Sequence, residues 1–360
     1  MDQTVLHLNE SLFQAQESPF LENNSFKVSL FRFNSGVCAV RMQNSAGELV
    51  VLPYQGQQIW SARMNNRDLG MVSMFDQPYP TRDFLATFGG FLLHCGATAM
   101  GVPSSEDNHP LHGELPNAPY QNAQIIYGSD EKGTYIGITG AYRHTIAFNY
   151  NYLAQPIIKL YADSSIFSVS MTVTNLKASF MPLMYLVHAN FRPIEGGRLV
   201  YSTFVDPQHM RVNADIPVST ETVSGYREFL QELKTHPEKH LVLSSDQIYD
   251  PEALILVDYL PCKDGWARSM QVHPDGSADI VRHHTTQLPR AQRWICRTVD
   301  QQALGFEPAT AEGSGYHSEK KKGNVLTLGP REVFHCDLEL GVLNPSETRK
   351  EELIAISAIH

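Results

Sequence analysis

Strict alternation over residues 167–174 constrains this chain more than any other feature in it. Phe167, Val169, Met171 and Val173 alternate with Ser168, Ser170, Thr172 and Thr174. An extended strand sends successive side chains to opposite faces, so this pattern sets a packed face against a wet one. The same extended character marks FKVSLFRF, VCAVRMQN, ELVVLPY, TYIGITG, MPLMYLVHANF, ALILVDYL and NVLTLG, and the turn-forming runs NSAGE, GSDEKG and HPDGS punctuate them. Many short strands separated by such turns predict an all-β sandwich or barrel. Helical spacing is confined to SGYREFLQELKTH, with Ser224 ahead of it, and SETRKEELIAISAIH, which opens after Pro345 with Ser346 as its cap. Neither alternates with strands in a βαβ rhythm, which argues against a parallel doubly wound sheet.

At 360 residues the chain exceeds the size at which domains usually divide, about 250–300 residues. No break in composition marks a linker, and large all-β domains are an exception to that limit. A single domain over residues 1–360 is therefore expected. With 42% hydrophobic and 18% charged residues, the chain has enough apolar material for a large core, which excludes dominant disorder. The balance of 28 basic and 38 acidic residues gives a net charge of −10. That charge disfavours binding to phosphate backbones or anionic lipid, so neither nucleic acid nor membrane is an expected partner. The five cysteines are scattered, with no CxxC pair. The opening residues lack the basic-then-apolar pattern of a secretory signal, and no apolar run approaches the roughly 20 residues of a membrane helix. A soluble, reduced, cytoplasmic protein is the expectation.

Several segments carry groups suited to chemistry. TFGGFLLHCGATAMGVP is glycine-rich but contains neither GxGxxG nor GxxxxGK[ST], so it offers no nucleotide cradle. Its glycines serve close backbone packing or the floor of a pocket. The long run from Phe75 to Ala123, rich in Gly, Pro, His and Asn, reads as a functional loop. His109 and His112 are three apart, but Pro110 and the residues that follow place them on that loop, without a carboxylate at ligand spacing, so no metal site is expected. In MPLMYLVHANF, strand parity groups His188 and Asn190 with Met184 and Leu186. In LGPREVFHCDLELGVL, Glu332 has the parity of Phe334, Cys336, Leu338 and Leu340. Taken singly, His188 is either a buried histidine satisfied by backbone or a functional imidazole, and Glu332 is either a turn residue or a placed base. Together, one histidine and one carboxylate on inward faces suit proton transfer at both ends of a small substrate. Trp294 and Glu307 are either a core Trp and a turn Glu or an aromatic face beside a carboxylate, the combination that a sugar ring tends to require. The run Lys320–Lys322 reads as a solvated turn.

Taken in order, FGGFLLHCGA, LHGELPNAP, YLVHANF, LGFEPAT, LGPRE and LELGVL resemble the aldose 1-epimerase (galactose mutarotase)-like family, and more narrowly its divergent bacterial branch of unknown function. The resemblance runs from about residue 25 to about residue 345. It implies a large antiparallel β-supersandwich with a few short helices, and an isomerase that interconverts sugar anomers without a cofactor. By position in the motif order, it implies His188 as general acid and Glu332 as general base. It further implies His112 as a ligand near the ring oxygen, Asp258 as a sugar-binding carboxylate, and Asn190, Trp294 and Glu307 as pocket residues. The chain departs from the standard members at Glu114, where they have a second glycine, and at Arg331, where their Pro-Gly-Glu has glycine. Neither Arg67 nor Arg82 matches their early arginine well. The alternative reading is a carbohydrate-binding or sugar-sensing protein on the same scaffold with little turnover.

Overall fold

The computed structural model describes residues 3–213 and 223–359. Two large antiparallel sheets stack face to face. The first has nine strands in the order Thr4–Leu8, Asn122–Asp130, Gly133–Ile146, Tyr150–Tyr161, Ile166–Asn175, Val333–Leu343, Ala278–His284, Trp266–Val272 and Arg198–Tyr201. The second has thirteen, and its middle runs Ala253–Val257, Arg290–Arg297, Gln302–Ala309, Met181–Phe191, Leu92–Ala97 and Ile59–Met64. This is an all-β sandwich, as the alternating pattern predicts, in the large antiparallel supersandwich form that the resemblance implies.

The alternation at 166–175 does what its parity requires. Phe167, Val169, Met171 and Val173 are fully buried, while the intervening Ser and Thr side chains are half-buried on the outer face. Across the inter-sheet space they meet the Tyr185, Val187, Ala189 and Phe191 side of the Met181–Phe191 strand. Aromatic rings bridge the two layers: Phe91 lies edge-on to Phe167 at 6.3 Å, and Tyr185 sits 5.9 Å from Phe334. Each such side chain contributes roughly 1.5–3 kcal/mol by leaving water.

The helices differ in detail from the sequence expectation. Tyr226–Thr235 forms where predicted, but Gly225 rather than Ser224 holds the cap position. It buries Tyr226, Leu230 and Leu233. The C-terminal helix spans Pro345–Ser357, with Pro345 inside its first turn. Asn344, not Ser346, caps it, accepting from the amides of Ser346 and Glu347 while Glu347 accepts from the Asn344 amide. His360, the end of the predicted helical run, lies outside the described residues. Lys320–Lys322 is the last turn of a third helix, Tyr316–Lys322, and Lys322 pairs with Glu312 and Glu319 at 2.9 Å each. Their charges suit a helix C-terminus. Among the described residues, no helix is long and apolar enough to cross a membrane.

Candidate functional site

Because the Met181–Phe191 strand is buried on both faces, its second face must be covered from outside the sandwich. Met184, Leu186, His188 and Asn190 lie on that side, and the cover is the Phe75–Ala123 segment. The register fixes the chemistry below it. Leu186 lies opposite Ala309 and Ala189 opposite Phe306, which sets His188 beside Glu307 on the neighbouring strand. Glu307 is in turn opposite Gln292, and Trp294 is opposite both Gly305 and Leu254. Gly305 leaves the room these side chains need: a Cβ there would stand 2.5 Å from Glu307 Oε1 and 3.0 Å from Trp294 Cβ.

A cavity of about 500 Å³ opens over this row. The sheet side supplies His188, Glu307, Gln292, Trp294, Leu254 and Cys296, and the loop side supplies Phe84, Leu85, Phe88, Val102, Leu111 and His112. Met74, Pro251, Glu252, Thr298, Asp300, Gln301 and Gly313 complete the walls. The rings of His112, Trp294 and Phe88 each stand 5.4 Å from that of His188. The indole N–H of Trp294 donates to Glu252 Oε2 at 2.6 Å, which fixes the ring plane.

Glu307 is 3% exposed, and its Oε1 has no hydrogen-bond partner among the described residues. That oxygen lies 3.4 Å from His188 Nε2. Burial, with the nearby Glu252 charge adding to it, pushes the Glu307 carboxyl up to about 8. Burial likewise pushes His188 down to about 3, and the neighbouring His112 adds to that, while the Asn190 amide opposes it. His112 is pushed down to about 4 by burial and by His109. At neutral pH the floor thus holds a protonated carboxylic acid against an uncharged imidazole.

The structure brings together four of the seven site residues expected from sequence: His112, His188, Trp294 and Glu307. Asn190 sits beneath them, fully buried, with its amide nitrogen donating to the Gly90 carbonyl at 3.0 Å. Glu332 is elsewhere. It is exposed on the turn between Leu328 and Val333, where its Oε2 accepts from the Gly329 amide. Leu328 is opposite Met181, and 188 − 181 = 7 residues separate that point from His188, on the order of 20 Å of strand. Strand parity does not reach Glu332, because Arg331 takes φ +64° and breaks the extended backbone just ahead of it. Asp258 is also outside the cavity, in an ion pair with Arg211, which pairs with Glu312 as well. Glu114 accepts from the Thr98 amide and the Tyr152 hydroxyl, both at 2.9 Å, so it is a packing residue beneath the loop. Arg67 is tied to Asp279, and Arg82 to the Glu114 carbonyl. Sequence reasoning missed Glu252, Gln292 and the Phe84–Phe88 pair. Gln292 was detectable, since it shares strand parity with Trp294.

Two stacked antiparallel sheets with the site on the outer face of the larger one define the class: this is the fold of the aldose 1-epimerase and galactose mutarotase-like proteins. A Klebsiella pneumoniae protein provisionally described as an aldose 1-epimerase superposes with a TM-score of 0.81 at 16% identity, covering 100% of this chain and 96% of that one. A galactose mutarotase-like protein from Clostridium acetobutylicum gives 0.58 at 11% identity, covering 89% and 100%. An Escherichia coli protein, again provisionally described as an aldose 1-epimerase, gives 0.52 at 15% identity, covering 95% and 99%. Among proteins of curated function none matches this sequence. The family model described as a domain of unknown function, DUF4432, matches residues 34–227, more than half of the chain, and the chain belongs to that family.

Proposed function

We propose that this protein is an aldose 1-epimerase that interconverts the anomers of a sugar, with Glu307 and His188 as its acid and base. The observation that carries the reading is the unpartnered Glu307 Oε1 beside His188 Nε2 at the floor of a ring-walled cavity. Anomer exchange needs a proton delivered to the ring oxygen and another removed from the anomeric hydroxyl. Both oxygens are bonded to C1, so two catalytic groups in close contact suit the task better than two at opposite ends of a ring.

In this reading the roles differ from those implied by the resemblance. Glu307, raised to about 8, carries the proton that goes to the ring oxygen as the C1–O bond breaks. Neutral His188 takes the proton of the anomeric hydroxyl through Nε2, leaving an open-chain aldehyde, a carboxylate and an imidazolium. Rotation about C1–C2 and reclosure on the other face return each proton to its donor. His188 Nδ1 and Asn190 Oδ1 are both buried without a formed hydrogen bond. A proton on Nδ1 would satisfy both and leave Nε2 as the base. Trp294 offers its face to the C–H side of the sugar, and His112 a ring nitrogen to a hydroxyl.

Polarimetry of freshly dissolved single anomers tests the reading. The native protein should speed equilibration, and Glu307→Gln or His188→Asn should each remove that acceleration. Sugar binding without any acceleration would instead support a sensor on this scaffold.

A further inference from the structure

The charges around the cavity are one-sided. Glu252, Asp300 and Glu307 line it, and among the described residues no lysine or arginine does. Its two histidines are held uncharged by burial. A phosphate or carboxylate on a ligand would find no cation here and would face two carboxylates. Aromatic rings form much of the rest: Trp294, Phe88 and Phe84 present faces and edges to the same space. Carboxylates set beside aromatic faces are the surroundings that suit an ammonium group, which gains both Coulomb and ring-quadrupole attraction. The Trp294–Glu252 hydrogen bond holds one such face next to one such carboxylate. Glu307 lines the cavity, and its Oε1 is buried there without a hydrogen-bond partner among the described residues.

We propose that the cavity selects an aldose bearing a protonated amino group next to its anomeric carbon, with the ammonium held between Glu252 and the Trp294 ring. The anchoring of C1 at Glu307 and His188 rests on the anomerisation reading; the cation preference rests on the lining alone. Glu252 is hydrogen-bonded to the Trp294 indole, and Trp294 shares its strand face with Gln292, which pairs with Glu307. With C1 over Glu307, the C2 substituent is therefore directed along this row toward Glu252. The ammonium then cancels the Glu252 charge, and Glu307 keeps its proton through burial.

Calorimetric titration with glucosamine, N-acetylglucosamine and glucose 6-phosphate, alongside polarimetry of the same sugars, tests this. Glucosamine should bind at least tenfold more tightly than either of the others near pH 7, and added salt should weaken it selectively. Glu252→Gln keeps an acceptor for the Trp294 N–H and should bring that ratio close to one. Asp300→Asn, on an exposed loop, should reduce the ratio by a smaller factor and serves if the first variant does not fold. The proposal is overturned if glucosamine binds no better than its N-acetyl form, or if the preference survives in a folded Glu252→Gln protein. Selective glucosamine binding without faster anomer exchange would sink the catalytic reading and leave this inference standing. Exchange of neutral aldoses with no amino preference would do the reverse.

Discussion

Glu307 Oε1 and His188 Nε2 stand 3.4 Å apart on adjacent strands of the thirteen-stranded sheet, the carboxyl raised to about 8 and the imidazole lowered to about 3. Each shift has burial as its first cause, and each leaves the group uncharged at neutral pH. A neutral acid beside a neutral base is a pair that can pass two protons in one encounter with a substrate.

The two candidate carboxylates can be told apart directly. Glu307→Gln should lower the rate of anomer exchange by roughly 10²–10⁴-fold, the usual contribution of a general acid, with sugar affinity changed little. Glu332→Gln should leave both unchanged, because that side chain only accepts from the Gly329 amide on an exposed turn. Polarimetry and calorimetry on the two variants measure both quantities. Loss of activity on the Glu332 substitution would return the base to the position implied by the resemblance.

The fold was legible because strand parity and turn residues act locally, and the Phe167–Val173 face packs as its alternation requires. His188 and Asn190 were placed on the correct face by the same rule. Glu332 was misplaced because parity holds only where the backbone is extended, and the positive φ of Arg331 cannot be read from an arginine codeword. The pairing of His188 with Glu307 depends on which strands become neighbours, a long-range property that no local pattern encodes. Phe84 and Phe88 escaped notice for a related reason: they sit on a loop, and only folding that loop over the sheet turns them toward the site.

Activity should follow the proton on Glu307. The rate should hold through neutral pH and fall as pH rises through about 8, where the acid ionises. The same group affects stability with a definite sign. Above its ordinary value of 4.5 the unfolded chain releases a proton that the folded protein keeps until about 8, so the native protein loses stability as pH rises across that window. Glu307→Gln removes this dependence, and its melting temperature should gain on the native protein's between pH 5 and pH 8. An unchanged difference across that range would mean that Glu307 ionises normally.

Acid should destabilise the fold through its buried histidines. His94, His188 and His283 are pushed down to about 3, and His112 and His240 to about 4, each by burial first. Below about 6.5 the unfolded chain protonates these five rings while the folded protein does not, so stability is lost as pH falls from there toward 4. Each ring contributes a slope of about 1.4 kcal/mol per pH unit in that window. Denaturant unfolding at pH 7, 6 and 5 measures the slope. His94→Gln should flatten it without touching the cavity, since among the described residues the His94 side chain bonds Tyr185 alone and does not line the site.

The cover over the site hangs on a contact that tolerates no side chain. Gly101 has φ +83°, and a Cβ there would stand 1.9 Å from the Gly313 carbonyl oxygen, which accepts from the Val102 amide at 3.0 Å. The Gly101 carbonyl in turn accepts from the His112 amide at 3.0 Å. Gly101→Ala therefore imposes left-handed backbone strain of about 1–3 kcal/mol and pushes two backbones apart. The sandwich core lies on the other side of the sheet, so the damage should concentrate in the loop. Hydrogen exchange should speed up at Val102 and His112 while the 166–175 strand keeps its protection. Sugar affinity should fall together with that loss, because Val102 and His112 both line the cavity. If exchange rises throughout the chain instead, the loop and the sandwich unfold as one unit, and the cover is not an independent element.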